Sequence, residues 1–154
     1  MTQLQSITLA TLGSFALLAG AFVFQALGYA PCQMCLWQRW PHAAAIVIGL
    51  VALATPALRR PLAVLGALAA LTTAGIALFH TGVERGWWDG PTSCSGGAGL
   101  GNLSGDALLS TDIAPVVMCS DIVWTLAGLS MANYNAIISL VLVAIWLTAA
   151  RKRD

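Results

Sequence analysis

The sequence predicts an all-α membrane protein: a four-helix transmembrane bundle with both termini cytoplasmic, one short outer loop and one long one. Three observations carry this reading. Of the 154 residues, 58% are apolar and only 8% charged, against about 25% charged in an average soluble domain. Charge-free intervals cover residues 1–38, 40–58, 61–83 and 122–150, and each has room for the roughly 20 apolar residues that cross a hydrocarbon core. Arg59 and Arg60 separate the second and third intervals, and Arg151, Lys152 and Arg153 follow the fourth, so two plus three of the seven cations share one side. By the positive-inside rule that side is cytoplasmic. A net charge of +1 gives no reason to expect nucleic acid or an acidic partner.

The first helix is expected over about 7–27, where Thr8, Thr11, Gly13, Ser14, Gly20 and Gln25 are small or mildly polar residues of the kind membrane helices accept at packing faces. It has no basic leader and is too long for the core of a signal peptide, so it is expected to be retained. Gly28 and Pro31 end it. The second helix is expected over about 38–55, with Trp37 and Trp40 flanking Arg39 at headgroup depth. Pro41 is comfortable only in a first turn, which places an unkinked start at about 37–40. A start at Cys35 would instead set Cys35 and Arg39 on one face at i and i+4, with Pro41 as a kink. Both starts remain open at this level.

Thr55-Pro56 and Arg59-Arg60-Pro61 make an inner turn. A third helix rich in Ala and Leu follows over about 62–80, closing at His80. The outer loop spans about 81–130. Its glycine-rich stretch at 90–101 has the composition of a flexible tether, which would make Cys94 mobile. The apolar residues 113–118 suit a segment lying on the bilayer surface ahead of Cys119. The fourth helix is expected over about 131–150. No repeat or second domain is visible, so residues 1–154 are expected to form one domain.

The stretch Pro31-Cys32-Gln33-Met34-Cys35-Leu36-Trp37-Gln38-Arg39 combines a Cys-x-x-Cys pair with the first charged side chain of the protein. All four cysteines, 32, 35, 94 and 119, fall on the outer side, where disulfides persist. A zinc site would find half of a four-cysteine cluster here, but Cys94 and Cys119 form no second close-spaced pair. Haem attachment requires His after the second cysteine, and Leu36 stands there. Two inert disulfides are the ordinary expectation for such cysteines. Against it, a Cys32–Cys35 bridge closes a very small loop and constrains the unfolded chain little, which suits exchange better than stability. A nearby cation at Arg39 and a helix N-terminus both favour a thiolate at Cys35. Taken alone, Arg39 equally suits an interfacial arginine meeting lipid phosphate.

These residues resemble the DsbB family of bacterial inner-membrane disulfide-bond formation proteins. The resemblance covers nearly the whole chain: Pro-Cys-x-x-Cys with Arg39 four residues on, His80 closing the third helix, and a long loop carrying Cys94 and Cys119. His80-Thr81-Gly82-Val83-Glu84-Arg85-Gly86-Trp87-Trp88, Gly90-Pro91-Thr92-Ser93-Cys94, Ala114-Pro115-Val116-Val117-Met118-Cys119 and Gly128-Leu129-Ser130-Met131-Ala132 all resemble its shorter-loop members.

The resemblance implies a thiol:quinone oxidoreductase of the inner membrane with its cysteines on the periplasmic side. A thioredoxin-like, DsbA-like partner would attack a Cys94–Cys119 disulfide at Cys94. Cys119 would exchange with Cys32, and Cys35 would pass two electrons to a membrane quinone, ubiquinone or menaquinone. Arg39 would orient a quinone carbonyl and stabilise the Cys35 thiolate, with His80 close by. Pro41-His42 departs from the better-known pattern and puts the geometry of Arg39 in question. Such a partner holds a potential of about −120 mV, so its reoxidation needs a still stronger acceptor. No glycine-rich nucleotide motif follows a strand pattern here, which leaves a lipid-soluble acceptor as the economical choice.

Two other functions compete. A vitamin K epoxide reductase-like enzyme shares the four-helix redox design, but there the loop cysteines precede the Cys-x-x-Cys, the reverse of this order. A non-catalytic membrane protein would use its disulfides passively.

Overall fold

The computed structural model describes residues 1–94 and 117–152. Four long helices make up the body: α1 (Gln3–Ala26), α2 (Gln33–Ala54), α3 (Arg59–Glu84) and α4 (Met131–Arg151). A 3-10 turn at Pro56–Leu58 joins α2 to α3, and Thr92–Cys94 forms another beyond α3. Two short antiparallel strands, β1 (Thr125–Leu126) and β2 (Leu129–Ser130), lead into α4. Their two-residue turn needs positive φ at both positions, as type I′ turns do, and Ala127 and Gly128 take φ of 50° and 77°.

The bundle is inverted relative to a soluble protein. Leu12, Phe15, Phe22, Leu65, Leu68 and Leu71 are exposed, whereas Ser6, Ser14, Thr73 and Ser139 are buried. Large apolar side chains facing outward and small or polar ones facing inward is the arrangement expected where the solvent is lipid and helices associate by close packing. α3 supplies the clearest case. Its buried residues Ala63, Gly66, Ala67, Ala70, Thr73, Ala74 and Ala77 recur at helical spacing, and His80 and Thr81 continue the same stripe. A Cβ added at Gly66 would lie 2.7 Å from the indole of fully buried Trp146 on α4, and one at Gly49 would collide with Thr11 Oγ1 on α1. These close approaches set the rotation of each helix.

α1, α3 and α4 are long and apolar enough to cross a membrane. α2 does not reach that standard, because its first turns carry Gln33, Gln38, Arg39 and His42 and only residues 43–54 are wholly apolar up to its end. Three of the four expected spans are therefore met by length and composition.

The helix bounds correct the sequence reading at two points. α2 starts at Gln33, not at about 38: Cys32 takes the cap position in extended conformation and its Sγ accepts from the Cys35 backbone N–H at 3.3 Å. Pro41 is carried inside the helix, where it removes the donor that would serve the Trp37 carbonyl. A local cap outweighed the proline preference. α3 runs on to Glu84 instead of closing at 80, because the stripe of small residues lets it stay packed on α4.

Both ends of the bundle are tied. At one, Gln3 Nε2 donates to the Ala149 and Lys152 carbonyls at 2.9 and 3.0 Å, and Arg60 Nε donates to the Ala150 carbonyl at 3.2 Å. The start of α1, the end of α4 and the α2–α3 turn thus share that end, and the cysteines lie at the other. The glycine-rich residues 95–101 and residues 113–116 of the expected surface segment 113–118 lie outside the described residues.

Candidate active site

Cys32 lies at the N-terminus of α2, and its neighbours arrive from three directions. Its Sγ is 2.9 Å from Cys35 Sγ and 3.5 Å from His80 Nε2 on α3. Cys32 is 4% exposed and Cys35 is half-buried. The other pair, Cys94 and Cys119, is disulfide-bonded with Cα atoms 5.1 Å apart. Cys119 also donates from its backbone N–H to the Cys94 carbonyl at 3.2 Å.

Both pairs pack in one buried cluster with Met34 and Val83. Cys94, expected to be mobile on a glycine tether, is instead 5% exposed. Its N–H donates to the Pro91 carbonyl at 2.7 Å, so the short 3-10 turn holds it against the cluster.

His80 joins the two pairs, and its tautomer follows from the hydrogen bonds. Gln38 Nε2 donates to the Met34 carbonyl at 3.2 Å and stands 3.1 Å from His80 Nδ1. A backbone carbonyl only accepts, so this Gln38 atom is nitrogen and His80 Nδ1 must accept from it. The ring hydrogen is then on Nε2, which faces Cys32 Sγ and the Cys119 carbonyl, the latter at 3.2 Å.

The two α2 sulfurs compete for one proton, and their surroundings leave Cys32 without it. Its thiol is lowered to about 4, first through the hydrogen bond with the Cys35 side chain, against the opposing effect of burial, and then through His80. The sequence placed the thiolate at Cys35 beside Arg39. In the structure the stabilised sulfur is Cys32, because the Cys35 side chain hydrogen-bonds to it and it also faces His80 from the helix cap.

Arg39 is engaged elsewhere. Its Nη1 donates to Gln25 Oε1 at 2.7 Å and its Nη2 to the Ala21 carbonyl at 3.5 Å, both on α1, while the guanidinium lies 4.7 Å from the centre of the Phe22 ring. Its Nε is buried and unpaired. Among the described residues no hydrogen bond joins Arg39 to a sulfur.

Arg39 nevertheless shares a cavity of about 350 Å³ with Cys35. The cavity lies between α1, α2 and α4 beneath Trp124 and is walled mainly by apolar residues such as Leu17, Phe24 and Ile138. Gln38, His42, His80 and Asn135 add the polar part of its lining.

Cys32, Cys35 and His80 offer ligand atoms within 4.8 Å of one another. The hydrogen on Nε2 points at the sulfurs, which opposes metal ligation there, and the Cys94–Cys119 bond withdraws both thiols that a four-cysteine zinc site would need.

Sequence reasoning missed Gln38 and Asn135 and treated His42 only as a departure. The available signal was their polarity inside apolar segments, which is costly and marks functional positions. Cys35, Gln38, Arg39 and His42 also fall at i, i+3, i+4 and i+7, one face of α2.

Comparison with known proteins agrees with this architecture. The family profile described as Disulfide bond formation protein DsbB matches residues 4–149. The chain is 34% identical to Disulfide bond formation protein B of Aromatoleum aromaticum, over 92% of each chain. It is 25% identical to an uncharacterized protein of Rickettsia prowazekii, RP370, over 89% of this chain and 81% of that one. No solved structure matches the chain. With a redox-spaced pair, a second pair packed on it and a match that spans nearly every residue, the chain belongs to the DsbB family of disulfide bond formation proteins.

Proposed function

We propose that this protein is a thiol:quinone oxidoreductase of a bacterial inner membrane. It reoxidises a periplasmic thioredoxin-like oxidase of the DsbA kind and passes the electrons to a membrane quinone, ubiquinone or menaquinone. The observation that carries this is the packing of both cysteine pairs and His80 into one site, with Cys35 also lining an apolar cavity. α2, lying between α1 and α3, serves as the fourth span. The Arg59–Arg60 turn and the α4 end face the cytoplasm by the positive-inside rule, which puts the cysteines on the periplasmic side.

The partner's thiolate attacks Cys94 Sγ, the Cys94–Cys119 bond breaks, and Cys119 leaves as thiolate. The partner's second thiol resolves the mixed disulfide, so the loop pair now holds two electrons. Cys119 then exchanges with a Cys32–Cys35 disulfide at Cys32. This restores Cys94–Cys119 and leaves Cys32 and Cys35 reduced, which is the state described above. The Cys35 side chain and then His80 hold Cys32 as a thiolate, the reactive form for closing the Cys32–Cys35 bond again once Cys35 gives up its electrons.

A quinone accepts two electrons and two protons in becoming a hydroquinone. The residues present fit such a group: the cavity near Cys35 has a volume typical of a small-molecule site with mainly apolar walls, and Arg39 Nε is a buried donor without a partner. Arg39, held by Gln25 and Phe22, would orient a carbonyl oxygen.

The test uses purified protein in detergent with a reduced thioredoxin-like oxidant and a short-chain quinone. Quinone reduction should match partner disulfide formation, and Cys35→Ser should abolish both while the protein stays folded. Partner oxidation without quinone reduction would overturn the acceptor assignment.

A further inference from the structure

The hydrogen bonds that orient His80 also orient a second histidine. His42 lies two turns beyond Cys35 on the cavity face of α2, about 10 Å along the axis, and is 3% exposed. Its Nε2 is 2.9 Å from Asn135 Oδ1 on α4, and its Nδ1 is buried without a partner.

The identity of every atom in this chain follows from the Met34 carbonyl. Because Gln38 Nε2 donates to that carbonyl, Gln38 Oε1 is the acceptor that faces α4. Asn135 Nδ2 donates to it at 2.6 Å, so Asn135 presents Oδ1 to His42. Ser139 Oγ, 3.1 Å away, donates to the same oxygen. An oxygen only accepts, so the hydrogen of an uncharged His42 ring is on Nε2. Its Nδ1 then offers a lone pair and has no hydrogen to give.

A quinone carbonyl has no hydrogen to donate, whereas each hydroquinone oxygen carries one. Arg39 Nε offers the opposite, a hydrogen that suits a carbonyl. We propose that His42 Nδ1 is the acceptor for a hydroxyl of the reduced acceptor, so that the cavity holds the hydroquinone by one hydrogen bond more than the quinone. This rests on the quinone reading above and adds to it a site that distinguishes the two redox forms. Asn135 and Gln38 are positioning residues, since they fix which nitrogen of the His42 ring keeps a free lone pair.

The experiment measures the dissociation constants of a short-chain quinone and of its hydroquinone, separately, on the purified full-length protein under anaerobic conditions. One net hydrogen bond corresponds to about a threefold to tenfold change in affinity. His42→Leu should weaken hydroquinone binding by that factor and leave quinone binding within about twofold. His42→Gln, which keeps a side-chain acceptor, should retain most of the hydroquinone affinity. Asn135→Leu frees the ring to place its hydrogen on Nδ1, so the preference should move toward the quinone. Circular dichroism and an intact Cys94–Cys119 bond check the fold of each variant.

Equal effects of His42→Leu on both forms, or on neither, would overturn the proposal while leaving the acceptor reading intact. Failure of the native protein to bind either form would overturn both.

Discussion

Gln38 on α2 donates from Nε2 to His80 Nδ1 on α3, 3.1 Å away, and that bond decides which ring nitrogen faces the sulfurs. It is reinforced on the far side, where Asn135 Nδ2 donates to Gln38 Oε1 and Thr73 Oγ1 donates to the Gln38 carbonyl at 3.2 Å. Two amides, Gln38 and Asn135, thus link His42 to the thiolate histidine.

Gln38→Leu should raise the titration of Cys32, because His80 loses the partner that keeps its hydrogen toward the sulfur. The variant also leaves His80 Nδ1 and Asn135 Nδ2 with weaker or no partners, at a cost of about 1–3 kcal/mol. Thiolate ultraviolet absorbance against pH, followed in a form with only Cys32 and Cys35 reduced, checks the first effect. Thermal unfolding in detergent checks the second.

The pH dependence of the Cys32/Cys35 dithiol form has a definite sign. Cys32 is lowered in the folded protein from 9.0 to about 4, so between these values the unfolded chain binds the extra proton. Its contribution to stability is complete above the unfolded value, declines as pH falls, and is lost once pH drops through the folded value. Detergent unfolding midpoints of the native dithiol form, referred to Cys32→Ser, should converge as pH falls toward about 4. A difference that widens with acid would refute the thiolate assignment.

The helix contacts predict a contrast between two glycines of α3. Gly66→Ala forces a methyl against the Trp146 indole, where the added Cβ would lie 2.7 Å away, whereas at Gly75 it meets nothing within 4 Å. Overpacking of this kind costs about 1–3 kcal/mol. Gly66→Ala should therefore lower the unfolding temperature, and Gly75→Ala should leave it within error or raise it slightly through helix propensity.

Trapping discriminates the two loop cysteines. In Cys119→Ser, Cys94 keeps a thiol with no second loop sulfur to resolve it, so its attack on the disulfide of the oxidised partner, which releases one partner sulfur as thiolate, should leave a mixed disulfide between the partner and Cys94. Peptide mapping that finds the partner on any other cysteine would reassign the entry sulfur.

Arg39→Ala should raise the KM for a short-chain quinone by about tenfold, the value of one hydrogen bond to a charged group, with a smaller effect on kcat. Steady-state kinetics at saturating reduced partner measures the split. An unchanged KM would remove Arg39 from the acceptor site.

By itself the sequence determined the helical membrane character, the ends of the chain on one side and the placement of a redox-spaced dithiol and two loop cysteines on the other. These follow from composition and local spacing, which act along the chain. Three things were decided only by the tertiary structure. α2 begins at Gln33 because the Cys32 side chain caps it, an interaction that outweighed the preference of Pro41. The favoured thiolate is Cys32, first through the Cys35 side chain beside it and then because His80, 48 residues away, reaches it. The orientation of His42 depends on Asn135, which donates to Gln38 across 97 residues. Contacts of that range depend on how each helix is rotated about its own axis. That rotation is set where Gly49 meets Thr11 and Gly66 meets Trp146, a packing of small residues whose partners no local pattern specifies.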